Sequence, residues 1–278
     1  MSQTSMTSTR TRLVRAGILT ACLLYVGVLL LLPLIGIIWG AFSAGFSVLG
    51  HTFGQADVRH AFLLTGVITL VTVVVTTLLG IVVAWVLARQ RFIGRSLMNA
   101  FVDLPFAMSA VTVGLAAVLL FGRGGWFEPF FAARGIQVIF ALPSMFVVTI
   151  FIAIPFTIRE VAPVLEEIGT SEEDAARTLG ASTWQSFFRV TLPNIRWALL
   201  YGIALSTARA IGEIGAVLIV SGSIQGRTET ATLFILRAVD ERQTPQAYLV
   251  ALTLAAVSIV LLVGIETARS RLERRKTR

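Results

Sequence analysis

The chain has 278 residues, of which 56% are hydrophobic and only 14% are charged, and its mean hydropathy is +0.84. Soluble domains carry about a quarter of charged residues, so this composition excludes a soluble globular domain and indicates a membrane protein. The net charge of +8 does not indicate nucleic-acid binding, because the arginines are spread over short segments without the interleaved aromatic residues of a strand-binding patch.

The residue types needed for catalysis or metal binding are scarce. The single cysteine, Cys22, lies in an apolar run, which excludes a disulfide framework and a thiolate metal cluster. Only two histidines occur, His51 and His60, and no glycine-rich lysine loop or nucleophile motif is present. We therefore expect no catalytic residue, no metal site and no cofactor bound by this chain.

Apolar stretches of membrane-spanning length recur along the chain, each near or above the roughly 20 residues that a helix needs to cross a bilayer. They predict an all-α, polytopic membrane protein with six transmembrane helices, at residues 13–40, 62–88, 97–121, 138–158, 197–220 and 247–267. The third stretch is interrupted by Asp103-Leu104-Pro105, and the fourth contains Pro143 and Pro155, which neighbouring helices can accommodate. Residues 42–59 and 221–245 are predicted to be loops.

The first apolar stretch has a second interpretation, a cleaved signal peptide, because an arginine-rich segment precedes it. A signal peptide has an apolar region of only about 7 to 15 residues, so a transmembrane helix is favoured. The predicted division is a disordered cytoplasmic tail at 1–12, a first span with its outer loop at 13–61, a core at 62–267 that includes a cytoplasmic loop at 159–196, and a basic cytoplasmic tail at 268–278.

Arginine placement predicts the orientation, because Lys and Arg accumulate on the cytoplasmic side of short loops. With both termini inside, the cytoplasmic side holds most of the arginines, namely Arg10, Arg12, Arg15, Arg89, Arg91, Arg95, Arg159, Arg177, Arg189, Arg196 and those of the tail. The other side keeps only Arg59, Arg123, Arg134, Arg227, Arg237 and Arg242. The polar loop between the fourth and fifth spans therefore faces the cytoplasm.

That loop contains a polar, capped stretch, SEEDAARTLGASTWQSFFRVTLP, which we call the elbow segment (residues 171–193). Ser171 is expected to cap a first short helix, with Asp174 favourable near its positive end. Gly180 is expected to end that helix. This pattern indicates a docking element, although an amphipathic loop on the membrane surface is the alternative.

The second half of the elbow segment predicts another short helix. Ser182 is expected to cap it, and its aromatic residues are Trp184, Phe187 and Phe188. Pro193 is expected to end it near Thr191, because the residue before proline avoids the α region. The predicted result is two short helices joined by a glycine turn.

At these residues the chain resembles the permease subunits of bacterial ABC importers. Their cytoplasmic loop carries the pattern Glu-Ala-Ala, three residues, Gly, nine residues, Ile, one residue and Leu-Pro. Every spacing is kept here, with Asp in place of Glu and Val in place of Ile. The resemblance implies that the loop inserts into a groove of an ATPase subunit, with the coupling carried by Asp174, Ala175, Ala176, Gly180, Ala181, Leu192 and Pro193.

Further stretches between residues 62 and 233, such as VDLPFAMSAVTVGL and ARAIGEIGAVLIVSGSIQGRTETATL, are similar to the CysW-type permeases of sulfate/thiosulfate importers. The resemblance implies a type I importer in the bacterial inner membrane, in which a CysT-type permease, two ATPase copies that use ATP and Mg, and an external sulfate-binding protein are the partners. The segment FILRAVDERQTPQAY departs from that branch, which leaves molybdate or tungstate open as the transported oxyanion.

Three charged residues lie inside the predicted spans away from the span ends, where a charge costs roughly 2.5 to 3.5 kcal/mol at mid-bilayer. Arg209 and Glu213 are four residues apart in the fifth span and can pair on one helix face. They either line the path or gate for a dianion or only orient helices, and both interpretations stay open. Asp103 is a third candidate for the path, with a helix-bend residue as its alternative. Gly202, Gly212 and Gly215 are expected to allow close helix approach.

A secondary carrier or an assembly scaffold is the rival class of membrane protein. A carrier needs its own ion-coupling site at the midplane, built from broken helices in repeated halves of the chain. The sequence shows no such repeat. An ABC permease subunit is therefore favoured.

Overall fold

The computed structural model describes residues 4–43, 45 and 47–276, with side chains described between residues 15 and 267. The helices are α1 (Thr4–Ser43), α2 (Ser47–Gly54), α3 (Ala56–Arg89), α4 (Arg95–Ala107), α5 (Ala110–Phe121), α6 (Glu128–Ala132), α7 (Leu142–Ile168), α8 (Ser171–Thr178), α9 (Thr183–Ser186), α10 (Leu192–Ile211), α11 (Gly215–Ser221), α12 (Ala231–Asp240) and α13 (Thr244–Lys276). A π-helical turn, Phe187–Thr191, joins α9 to α10. The described residues contain no β-strand.

Four of these helices, α1, α3, α7 and α13, are long and apolar enough to cross a membrane. Two pairs of helices joined at a bend can each make one further crossing. They are α4 with α5, and the helix ending at Ile211 with α11. The described part of the chain thus has the all-α architecture of a multi-pass membrane protein, with six crossings when each bent pair counts as one.

Both bends differ from the predicted spans. The third span was expected to be interrupted at Asp103-Leu104-Pro105, but α4 continues to Ala107 and the 113° bend follows it. Met108 and Ser109 are extended there, and the Ser109 hydroxyl accepts a hydrogen bond from the Thr112 N–H, so it starts a new helix. The fifth span was predicted as one stretch over 197–220, yet it bends by 53° between Ile211 and Gly215.

Helices α3 and α7 form the centre of the fold and run parallel. Leu64 of α3 belongs to one buried cluster with Met145 of α7, and farther along both helices Ala84 belongs to another with Ile158. Gly202 of α10 lies against the backbone of α7, since a Cβ on Gly202 would be 3.0 Å from the Thr157 Cα. The predicted close approach at Gly202 is therefore confirmed.

Helix α1 packs on α13, and an 18-residue apolar window of its span has no buried residue. A Cβ on Gly40 would meet the Tyr248 ring, which makes Gly40 part of this contact. The structure extends α1 back to Thr4 instead of leaving 4–12 disordered, because no proline or glycine ends the helix there. Residues 1–3 and 277–278 of the predicted tails lie outside the described residues.

Two predicted loops contain helices. Residues 42–59 include α2 and the start of α3, and residues 221–245 include α12. Helix α12 is held by Arg237, whose Nε and Nη2 donate to both carboxylate oxygens of buried Glu229 at 2.7 and 3.1 Å. Hydrogen bonding to that carboxylate raises the pKa of Arg237 against the opposing effect of burial.

Candidate functional site

The first helix of the elbow segment is α8. It begins at Ser171, one residue earlier than predicted, because Ser171 was expected to be the cap that precedes the helix. Thr170 rather than Ser171 is the N-cap residue, and its carbonyl oxygen accepts a hydrogen bond from the Asp174 N–H at 2.8 Å. Gly169 determines where α8 begins, because its φ of +66° ends α7 at Ile168, immediately before Thr170. Three acidic residues occupy the first turn of α8, namely Glu172, Glu173 and Asp174, and favour its positive end.

Gly180 ends α8 as predicted. Its φ is +85°, its N–H donates to the Arg177 carbonyl oxygen at 2.9 Å, and the Ala181 N–H donates to the Ala176 carbonyl oxygen at 3.0 Å. These two bonds form a Schellman motif, in which a left-handed residue satisfies the last carbonyl groups of a helix. The angle between the two helices of the elbow segment is therefore set by one glycine.

The second helix, α9, has the predicted cap in a more complete form. The Ser182 hydroxyl accepts from the Gln185 N–H, and the Gln185 side chain accepts from the Ser182 N–H, which makes a capping box. Pro193 was expected to end this helix near Thr191, and that prediction was wrong. The π-helical turn passes the chain into α10, with Pro193 in its first turn, where a missing N–H is tolerated.

The elbow segment presents apolar side chains to the outside. Leu179 is 89% exposed, Trp184 is 73% exposed, and Phe188 is 57% exposed with its ring stacked on Trp184 at 5.9 Å. The predicted coupling residues lie on or beside this surface, with Asp174, Ala175, Gly180 and Pro193 exposed and Ala176, Ala181 and Leu192 half-buried. Exposed aromatic residues next to a rigid turn are typical of a surface that another protein covers.

Glu173 attaches the elbow segment to the helix bundle, a role that the sequence analysis missed. Its carboxylate accepts from Arg89 Nη2 at 2.9 Å and from the Thr191 hydroxyl at 2.9 Å. Arg89, the last residue of α3, also donates through Nη1 to the Leu165 carbonyl oxygen of α7 at 2.7 Å. The sequence offered only a weak signal, an arginine at the end of a span and an acidic residue in the loop.

The predicted pair Arg209 and Glu213 forms, with Arg209 Nη1 2.6 Å from Glu213 Oε2. Glu213 is 3% exposed and lies in the break between α10 and α11, where its Oε1 accepts from the Ala216 N–H at 2.8 Å. One carboxylate therefore both pairs with the arginine and caps the half-helix α11. The Arg209 side chain remains 32% exposed, so a cationic group stays accessible beside the break.

The two flanking glycines of this break differ. A Cβ on Gly215 would lie 2.9 Å from the Ala110 Cβ, so the predicted close approach is confirmed there. A Cβ on Gly212 would meet only the Ala208 carbonyl oxygen of its own helix, at 3.5 Å, so Gly212 makes no such contact with another helix.

Asp103 lies apart from this pair. Its carboxylate pairs with Arg159 of α7, with Nη2 2.6 Å from Oδ2, and both side chains are partly exposed. Arg159 was predicted to lie beyond the fourth span, but α7 continues to Ile168. The structure thus brings Asp103 to α7 and does not join it to Arg209 and Glu213.

Comparison with known proteins places the chain in a family. Residues 77–278 match the family model described as binding-protein-dependent transport system inner membrane component. The sulfate transport system permease protein CysW of Synechocystis sp. is 46% identical over 254 residues, covering 91% of this chain and 92% of the relative. The CysW protein of Escherichia coli K12 is 42% identical, covering 90% of this chain and 86% of the relative.

The CysT permease of Escherichia coli K12 is 38% identical over 253 residues, covering 91% of each chain. A crystal structure of a bacterial alginate ABC transporter, in complex with an alginate pentasaccharide-bound periplasmic protein, shares the fold with a TM-score of 0.78. It is 17% identical, and the match covers 97% of this chain and 98% of that chain. This chain belongs to the family of binding-protein-dependent transport system inner membrane components.

Proposed function

We propose that this chain is a permease subunit of an ATP-driven importer of sulfate and thiosulfate in the bacterial inner membrane. The relatives that span nearly the whole chain are named as sulfate transport permeases, which supports the substrate class. The observation that carries the coupling role is the elbow segment, with its rigid turn at Gly180 and exposed Trp184.

The partners in this proposal supply the chemistry that this chain does not. Two copies of an ATP-binding cassette ATPase use ATP and Mg and receive the elbow segment in a groove. A CysT-type permease forms the other half of the path, and an external sulfate-binding protein delivers the anion. The chain itself binds no cofactor, and its own part is to change the accessibility of the path, as in a type I importer.

The mechanism is alternating access. Closure of the ATPase dimer moves α8 and α9 as short rigid levers, and this movement rotates the spans from α4 onward. Ligand and nucleotide can shift such an equilibrium only by binding its states unequally, so the chain contributes contacts that differ between states. Arg209 supplies positive potential for a dianion beside the α10–α11 break, and Glu213 holds it in position. Asp103 is assigned to the same path, where its carboxylate pairs with Arg159 rather than with Arg209.

Purification of the chain after mild detergent extraction tests the assembly, because an ATPase subunit should accompany it. A secondary carrier would be purified without one. Uptake of labelled sulfate into proteoliposomes, with thiosulfate and molybdate as competitors, tests the substrate. If unlabelled molybdate inhibits this uptake at a lower concentration than unlabelled sulfate does, the importer belongs to the molybdate and tungstate class instead.

A further inference from the structure

The carboxyl ends of α3 and α7 are joined to the elbow segment through one buried ion pair. Arg89 and Glu173 are 2.9 Å apart, and their side chains are 7% and 8% exposed. Arg89 uses its other terminal nitrogen to bind the Leu165 carbonyl oxygen. The guanidinium therefore contacts two central helices and the elbow segment at once.

On the elbow side, Glu173 connects both halves of the segment. The same oxygen that binds Arg89 also accepts from the hydroxyl of Thr191, which lies in the π-helical turn and is 5% exposed. Glu173 is also the only buried residue of α8. The other polar link of α8 to a long helix, from Asn194 to Glu172, is exposed to solvent.

A buried pair of this kind differs physically from an exposed one. Solvent-exposed ion pairs are screened and hold two elements together only weakly. When both charges are removed from water, separating them leaves an uncompensated buried charge, so the elements that carry them move together. At the same end of the bundle, Arg95 pairs with Glu166 at 2.6 Å, but those side chains are 39% and 51% exposed.

We propose that Arg89 and Glu173 are positioning residues that transmit the displacement of the elbow segment to α7 and also to α3, which then moves together with the spans from α4 onward. The proposal rests on the proposed function, since it needs an ATPase that moves the elbow. An elbow without this pair still has its glycine turn and its exposed aromatic surface, so it binds the ATPase. A smaller part of its movement is then passed to the central helices, through the chain connections to α7 and α10 alone.

The test uses the complete importer with its ATPase and binding protein in proteoliposomes. Sulfate uptake and ATP hydrolysis are measured together for Glu173→Gln, Arg89→Gln and the exchanged pair Arg89→Glu with Glu173→Arg. Glu173→Gln retains the shape of the side chain and leaves a hydrogen-bonding oxygen, so it is the variant best suited to folding. Glu166→Gln removes the exposed pair and is the matched control.

We expect Glu173→Gln to co-purify with the ATPase and to hydrolyse ATP, while the sulfate transported per ATP falls about ten-fold, as for loss of a hydrogen bond to a charged group. The exchanged pair restores the ion pair but has no donor for the Leu165 carbonyl oxygen of α7, so it should recover only part of that ratio, and Glu166→Gln should leave the ratio unchanged. A merely structural role lowers protein yield, uptake and hydrolysis together. An unchanged ratio in Glu173→Gln and Arg89→Gln would overturn the proposal.

Failure of the proposed function has a different signature. In that case the wild-type chain is purified without an ABC ATPase and takes up no sulfate. A wild type that transports sulfate, combined with variants whose transport per ATP is normal, contradicts only the positioning role of Arg89 and Glu173.

Discussion

Gly114 of α5 lies directly against the backbone of α11 at Ala216. A Cβ on Gly114 would be 2.8 Å from the Ala216 carbonyl oxygen and 2.9 Å from the Ile219 Cβ. Real Cβ atoms essentially never come this close to backbone, so the two half-helices touch at a contact that only glycine allows. The second halves of both bent spans therefore pack as one unit.

Gly114→Ala should separate these half-helices and lower the stability of the folded chain. Overpacking of a well-packed site costs typically about 1 to 3 kcal/mol, which is measurable as a lower unfolding temperature in detergent. Gly66→Ala is the control, because Gly66 is a helical glycine whose added Cβ would meet nothing within 4 Å. Equal unfolding temperatures for the two variants would show that α5 and α11 are not in close contact.

Gly180→Arg should leave membrane insertion intact and abolish transport-coupled ATP hydrolysis. There is room for the side chain, since nothing lies within 4 Å of an added Cβ. The backbone is the obstacle, because a left-handed conformation costs an ordinary residue about 1 to 2 kcal/mol and the turn relaxes. Gly180→Asn is the control, since asparagine tolerates this conformation. Normal sulfate uptake by Gly180→Arg would contradict the proposal that α8 and α9 transmit the movement of the ATPase.

Thr72→Val in α3 should be neutral or stabilising. The Thr72 hydroxyl is buried without a hydrogen-bond partner among the described residues, so removing it abolishes a desolvation cost. Thr65→Val is the matched comparison, because the Thr65 hydroxyl donates to the Ala61 carbonyl oxygen and accepts from the Ala231 N–H. The comparison variant should lose about 1 to 3 kcal/mol. Thermal unfolding in detergent measures both, and the reverse ranking contradicts the prediction.

Arg209→Ala should lower the rate or the apparent affinity of sulfate uptake roughly ten-fold, as expected when a charged hydrogen-bond donor to the anion is removed. Arg209→Lys keeps a cation beside the break and should retain more activity than the alanine variant. Uptake measured over a range of sulfate concentrations separates rate from affinity. Unchanged transport in Arg209→Ala would leave only the role of orienting α10 against α11.

Apolar length was enough to predict up to six spans, and local capping was enough to predict the glycine turn and the second cap of the elbow segment. Gly180 and Ser182 act through their own backbone neighbours, so sequence alone shows what they do. The same holds for Arg209 and Glu213, which are one helical turn apart. The expected orientation in the membrane rests on arginine placement and stays a prediction.

A long-range contact and two local helix junctions account for what sequence reasoning missed. Glu173 and Arg89 are 84 positions apart, and no local pattern marks either as buried. Pro193 was read as a stop signal, whereas the π-helical turn lets the helix continue through it. The 113° bend lies after Ala107 and not at the more conspicuous Pro105. It lies there because Ser109 caps the next helix.

The cytoplasmic docking role of the elbow segment is tested most directly by the sidedness and accessibility of Leu179, its most exposed apolar residue, at 89%. In a chain with Cys22→Ser, Leu179→Cys is treated with a membrane-impermeant maleimide, and Trp126→Cys serves as the control predicted to lie on the outer face. A cytoplasmic elbow segment that docks on an ATPase predicts that Leu179→Cys is labelled only in inverted membrane vesicles, and more slowly when the ATPase is bound. Labelling of Leu179→Cys from the outside of intact cells would contradict it.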